Sequence, residues 1–124
     1  MKDIKNNVGI AKTINPATYN SDQTGASADL SGYDAAMAVM HCGAVTDGAH
    51  TPKLQESDDN STFTDVAAAD LGGSFAAMTA NTVQRVGYVG AKRYIRVYVA
   101  SSGTTGAVYG AVISLGKPAQ VPVA

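Results

Sequence analysis

From Ala28 onward the chain sets short apolar runs between turn residues at intervals of about ten, the pattern of an all-β fold. The run RYIRVYVA has a period of two. Ile95, Val97 and Val99 fall on one face, and Tyr94, Arg96 and Tyr98 on the other, as a half-buried strand requires. The same reading predicts strands over 34–42, 52–57, 62–66, 82–89, 93–100 and 106–115. YDAAMAVMHCGAV has a helix-like alanine content, but Gly43 and the Thr46–Gly48 turn assign it to a strand. AAADLGGSFAAM allows at most one helical turn, near Ala67 to Leu71, because Gly72 and Gly73 interrupt anything longer. LQESDDNSTFTDV reads as strand, polar turn, strand, with Phe63 directed into the core. The turn SSGTTG then folds residues 93–115 into a second hairpin.

Outside this pattern lie two polar or proline-bearing ends. Residues 1–27, rich in Asn, Ser, Thr and Lys, read as an N-terminal arm that orders on contact. Residues 117–124, with Pro118 and Pro122, read as an extended C-terminal tail. The domain proper is 28–116. A chain of 124 residues buries roughly two thirds of its unfolded surface and folds without staples. Its 45% hydrophobic content is mostly Ala and Val, with no Trp, so the core is expected to be thin. The expected fold is an antiparallel β-sandwich, jelly-roll-like, with extended arms at both ends.

Charge changes the picture by its position. Residues 1–70 carry four basic and ten acidic groups, formally −6, and residues 71–124 carry five basic and no acidic ones, +5, giving the overall −1. Either the two halves pair as neighbouring strands and neutralise each other, or the subunit is electrostatically polar and docks by that polarity. The neutral total and the scattered cations do not make a nucleic-acid stripe. No apolar run reaches the length of a membrane span or a signal peptide, so neither membrane association nor secretion is expected. One cysteine, Cys42, allows no internal disulfide, and synthesis in a reducing compartment is expected.

Candidate chemistry is sparse. His41 and Cys42 are adjacent on a strand and so point to opposite faces, where they cannot act as base and nucleophile. His50 reads as a surface turn residue. The turn from Ser57 to Ser61 offers hard oxygen ligands, but a calcium loop counted from Asp58 needs Gly at its sixth position and Glu at its twelfth, where Phe63 and Ala69 stand. The turn therefore reads as a corner, with Asn60 at a positive φ. No phosphate-binding glycine motif occurs. The expectation is a non-enzymatic protein with no metal or cofactor, whose partner contacts come from Lys92, Arg93, Tyr94, Arg96 and Tyr98.

Two resemblances bear on function. LQESDDNSTFTDV followed by RYIRVYV resembles the discoidin-like and related galactose-binding sandwiches, with Asn60 and Phe63 where their turn carries Asp-Gly and a Trp. No ligand residue carries over, and a glycan-binding module stays open as an alternative. The second covers residues 28–116. ADLSGYDAA, GAVTDGAHTPKLQESDDNSTFTDVAAADL, QRVGYVGAKRYIRVYV and TTGAVYGAVISLG together resemble small proteins encoded beside the major capsid protein of tailed bacteriophages. That resemblance implies a decoration or cement protein, made in the bacterial cytoplasm and carried on the capsid exterior. Its partners would be the major capsid protein and further copies of itself. A head–tail connector or tail component is the other alternative within this class.

Overall fold

The computed structural model describes residues 3–118, and its regular structure is almost all strand. In chain order these are β1 (Gly9–Tyr19), β2 (Gln23–Thr24), β3 (Ala28–Asp29), β4 (Tyr33–Val45), β5 (His50–Ser57), β6 (Thr64–Asp65), β7 (Leu71–Gly72), β8 (Thr82–Tyr88), β9 (Tyr94–Ser101) and β10 (Ala107–Pro118). Single 3-10 turns stand at Lys5–Asn7 and Ala68–Asp70, the second of them where one helical turn was expected. Sheet A has the order β1-β10-β4-β8-β7. Sheet B has the order β2-β9-β5-β6, and β3 also pairs with β9. All pairings are antiparallel.

The order follows from one long hairpin rolled up. β2 and β3 lie along the same edge of β9 and act as one strand interrupted at residues 25–27. Counted that way, with β7 as a short addition before β8, the first strand pairs with the eighth, the second with the seventh, the third with the sixth and the fourth with the fifth. That is a jelly roll, and the turn at residues 58–63 is the tip of the hairpin. The sandwich expectation is thus met.

Alternation fills the space between the sheets. Ile95, Val97 and Val99 of β9 are fully buried, facing Ala38, Met40, Cys42, Tyr109, Ala111 and Ile113 from sheet A. The hairpin expected over 93–115 does not form, because β9 belongs to sheet B and β10 to sheet A. A hairpin would put Val97 and Ile113 on the same face of one sheet. Crossing between sheets sets their apolar faces against each other, and the loop after Ser101 spans the roughly 10 Å separation.

The N-terminal arm is corrected as well. Gly9–Tyr19 is an edge strand of sheet A along β10, and Thr13 and Ile14 are buried. Two register shifts, on either side of Ile14, bend β1 toward sheet B. There the Val97 N–H donates to Thr13 Oγ1 at 3.2 Å, the Gly25 N–H to the Val97 carbonyl at 2.8 Å and the Ala26 N–H to the Thr13 carbonyl at 2.6 Å. A Cβ on Gly25 would meet Thr13 Oγ1 and lie 2.6 Å from the Val97 oxygen, so only glycine fits this seam. The strand was hidden because its buried positions include Gly9 and Thr13, Ile10 faces outward and the bulges break its alternation. At the other end β10 runs on through Pro118, and the rest of the expected tail, 119–124, lies outside the described residues.

Phe63 is not core. Gln55 pairs with Asp65, which fixes the odd-numbered residues of this segment on the outer face of sheet B, and it is Val66 that is buried.

Candidate functional site

The five residues expected to make partner contacts come together at sheet B. Tyr94, Arg96 and Tyr98 stand in a row on its outer face, with Lys92 and Arg93 just before the start of β9. Each is already engaged within the chain. Arg93 grips Asp29 through two bonds, Nε–H to Oδ1 and Nη2–H to Oδ2, both 2.9 Å. Lys92 Nζ lies 2.7 Å from Asp58 Oδ2. Arg96 donates from Nε to Gln55 Oε1 at 2.8 Å and stacks its guanidinium 3.9 Å from the Phe63 ring centre. Partial burial lowers the Arg96 pKa, while the bonds to Asp58 and Asp29 raise those of Lys92 and Arg93. The Tyr98 hydroxyl donates to Asp22 Oδ2 at 2.9 Å, which raises the phenol pKa, and Lys53 Nζ sits 5.0 Å from its ring centre. Arg93 also lies 5.2 Å from the Tyr94 ring centre. Asp29 and Asp58 come from the acidic half and Lys92 and Arg93 from the basic half, so two ion pairs join the halves across sheet B.

The acidic turn is built as a corner. Asp59 Oδ1 accepts the N–H groups of Ser61 and Thr62, both at 2.9 Å, and the Ser57 hydroxyl at 2.9 Å. The backbone bonds to Thr62 and Ser61, followed by the Ser57 hydroxyl, hold its pKa down at about 2. Ser57 Oγ in turn accepts from the Asn60 amide at 3.0 Å, and Asn60 adopts φ 60° as the sequence implies. Asp58 is spent on Lys92. No cluster of three metal-ligating side chains occurs among the described residues.

Beside this corner, at one end of the sandwich, a cleft of about 510 Å³ runs between Tyr33, Asp34, Tyr88 and Lys92. The Tyr88 hydroxyl crosses between sheets to donate to Glu56 Oε1 at 2.8 Å and accepts the Lys92 N–H at 2.9 Å. Burial, with the Glu56 bond second, pushes its pKa up to about 12. This tyrosine ties the two sheets together.

His50, expected on a surface turn, is also corrected. It starts β5 and is buried, with Nε2 2.9 Å from the Asp47 carbonyl and Nδ1 2.9 Å from Ser101 Oγ, which lies 2.7 Å from the Tyr109 hydroxyl. One proton arrangement satisfies the chain: Tyr109 donates to Ser101, Ser101 to Nδ1, and Nε2–H to the carbonyl. The histidine and serine resemble a base and nucleophile in spacing, but the third partner is a backbone carbonyl and the histidine is sealed between sheets. The pair fixes the β5–β9 register. His41 and Cys42 take opposite faces as expected, His41 exposed and Cys42 buried, and burial raises the thiol pKa.

The face that strand-by-strand reading missed is the outside of sheet A. Val39, His41, Val83, Val108 and Val112 border a shallow groove of about 540 Å³, with the β1 backbone at Pro16 rising over Gly110. Val83 is 61% exposed, and Ile10 beyond the groove 65%. Each valine looked like ordinary strand content alone. Only the registers Val112↔Val39 and His41↔Val83 gather them into one patch.

No protein-family model and no curated protein sequence matches the chain. No helix among the described residues is long and apolar enough to cross a membrane.

Proposed function

We propose that this protein is a structural subunit of a tailed-phage head that binds the outer surface of the capsid shell, as a decoration or cement protein. The observation that carries the reading is the contrast between its outer faces. Sheet B closes its charges and aromatic rings upon one another, whereas sheet A leaves an apolar patch uncovered, which on a soluble domain marks a docking surface. A rigid slab with one sticky broad face suits a repetitive surface, where the contact is made many times over. The resemblance of residues 28–116 to proteins encoded beside the major capsid protein supports the same reading. Jelly rolls serve both viral shells and lectins, so the fold alone does not choose between them. Against a glycan site on sheet B stands the capping of its rings by Lys53, Arg93 and Arg96, which take up stacking surface a sugar would need.

The test is co-sedimentation with shells assembled without this protein. Binding that saturates at a fixed ratio to the shell protein is expected. Absence of binding to intact shells, together with retention on a glycan array, would replace this reading with the carbohydrate one.

A further inference from the structure

We infer that the outer face of sheet A is the surface laid on the shell, and that its complement there is an apolar patch flanked by two carboxylates about 14 Å apart. This rests on the shell-binding reading above. The registers Lys12↔Val112, Val112↔Val39 and Val39↔Arg85 set Lys12 and Arg85 at the two ends of one row across four strands, with valines between them. Three strand spacings of about 4.8 Å give the separation. Both cations are exposed, and neither is within 4 Å of an acidic group among the described residues, unlike Lys53, Lys92 and Arg93 on the other sheet. The strands β1, β8 and β10 contain no Asp or Glu. β4 contains only Asp34, at its start and at a register position shared with the inward-facing Ala36 and Ala38. The face is therefore apolar at its centre and positive at both sides, with no acid of its own.

That layout selects the occupant. A second copy of the same face is disfavoured. A two-fold axis along the strands would set Lys12 against Arg85, and one across them would set Lys12 against Lys12, cation on cation in either case. A nonpolar surface alone would leave both cations desolvated at the rim without a partner. Carboxylates at the matching separation complete the contact, and sheet B then faces outward, with Lys53, Lys92 and Arg93 already paired with acids and Arg96 held by Gln55 and Phe63.

The experiment compares the parent with the double variant Lys12→Glu/Arg85→Glu, with Val83→Asp, and with Thr51→Glu on the exposed outer face of sheet B as the control. The probe is shells assembled from the phage's own shell protein. All four should melt alike, since the substituted side chains are exposed. The double variant and Val83→Asp should each bind roughly tenfold more weakly or worse, with the double variant also losing the fall in affinity as salt rises, while Thr51→Glu binds as the parent does. Parent-like binding by the double variant with loss in Thr51→Glu would overturn the assignment of the face and leave shell binding standing. A parent that dimerises in solution, with Val83→Asp abolishing the dimer, would overturn the choice of occupant. Failure of the parent itself to bind would remove the shell reading on which the inference rests.

Discussion

Asp59 shows how a residue that looks like chemistry can be architecture. Its carboxylate collects the amides of its own turn, and its pKa of about 2 stands below the ordinary 3.8. The stability it contributes is complete above about pH 4 and is lost as pH falls toward 2. Asp22, Asp29, Asp47 and Asp65 are lowered in the same direction by hydrogen bonds, Asp47 by the amides of Gly106 and Thr105 across two loops. Thermal melts should therefore hold steady from neutral pH down to about 4 and drop below it. Asp59→Ala should melt lower than the parent at pH 7 with less of that acid dependence, and added calcium should shift neither protein. Phe63 teaches the converse. Stacked under Arg96 and half-buried, its loss on truncation to Ala should cost about 0.5–1 kcal/mol, against about 2–5 kcal/mol for Ile95→Ala in the core. Urea denaturation of the two variants separates these values. The sequence shows that an aromatic follows the turn. Which face it takes depends on whether Asp65 or Thr64 pairs with Gln55, and nothing local to the turn decides that.

At the scale of elements, legibility tracked how cleanly apolar and polar positions alternate. The strands at 50–57, 82–88, 94–101 and 107–118 came out within a few residues of expectation because each carries apolar inward positions in alternation, most cleanly Ile95, Val97 and Val99 and then Tyr109, Ala111, Ile113 and Leu115. β1 did not. Its burial rests on Gly9, Thr13 and Ile14, two of them not hydrophobic, and its bulges shift parity. Pro16 and those bulges also blunt an edge strand that would otherwise offer its backbone to another chain. The consequence is testable: removal of residues 1–20 should abolish the cooperative thermal transition, because it uncovers β10 and takes Thr13 from the seam with Val97. A truncated protein that melts as the parent does would show that β1 is dispensable. Gly25→Ala should likewise destabilise the fold strongly, as its Cβ has no room between Thr13 and Val97.

For the whole molecule, the jelly roll sorts side chains into three environments that the linear sequence interleaves. Inward residues make the core, outward residues of sheet B engage their cations with acids, Gln55 and aromatic rings, and outward residues of sheet A gather valines between two cations that have no acidic partner among the described residues. The opposed charges of the two halves were visible in the sequence, and they meet on sheet B in two ion pairs, Lys92–Asp58 and Arg93–Asp29. Lys12 and Arg85 stand 73 positions apart in the chain, and only the β1-β10-β4-β8 order places them in one row. Electron cryomicroscopy of shells saturated with the protein shows which face lies on the shell. Density is expected for a sandwich lying with β1, β10, β4 and β8 against the shell and β9 and β5 toward solvent. Density with sheet B against the shell, or confined to the neck of the particle, would contradict it.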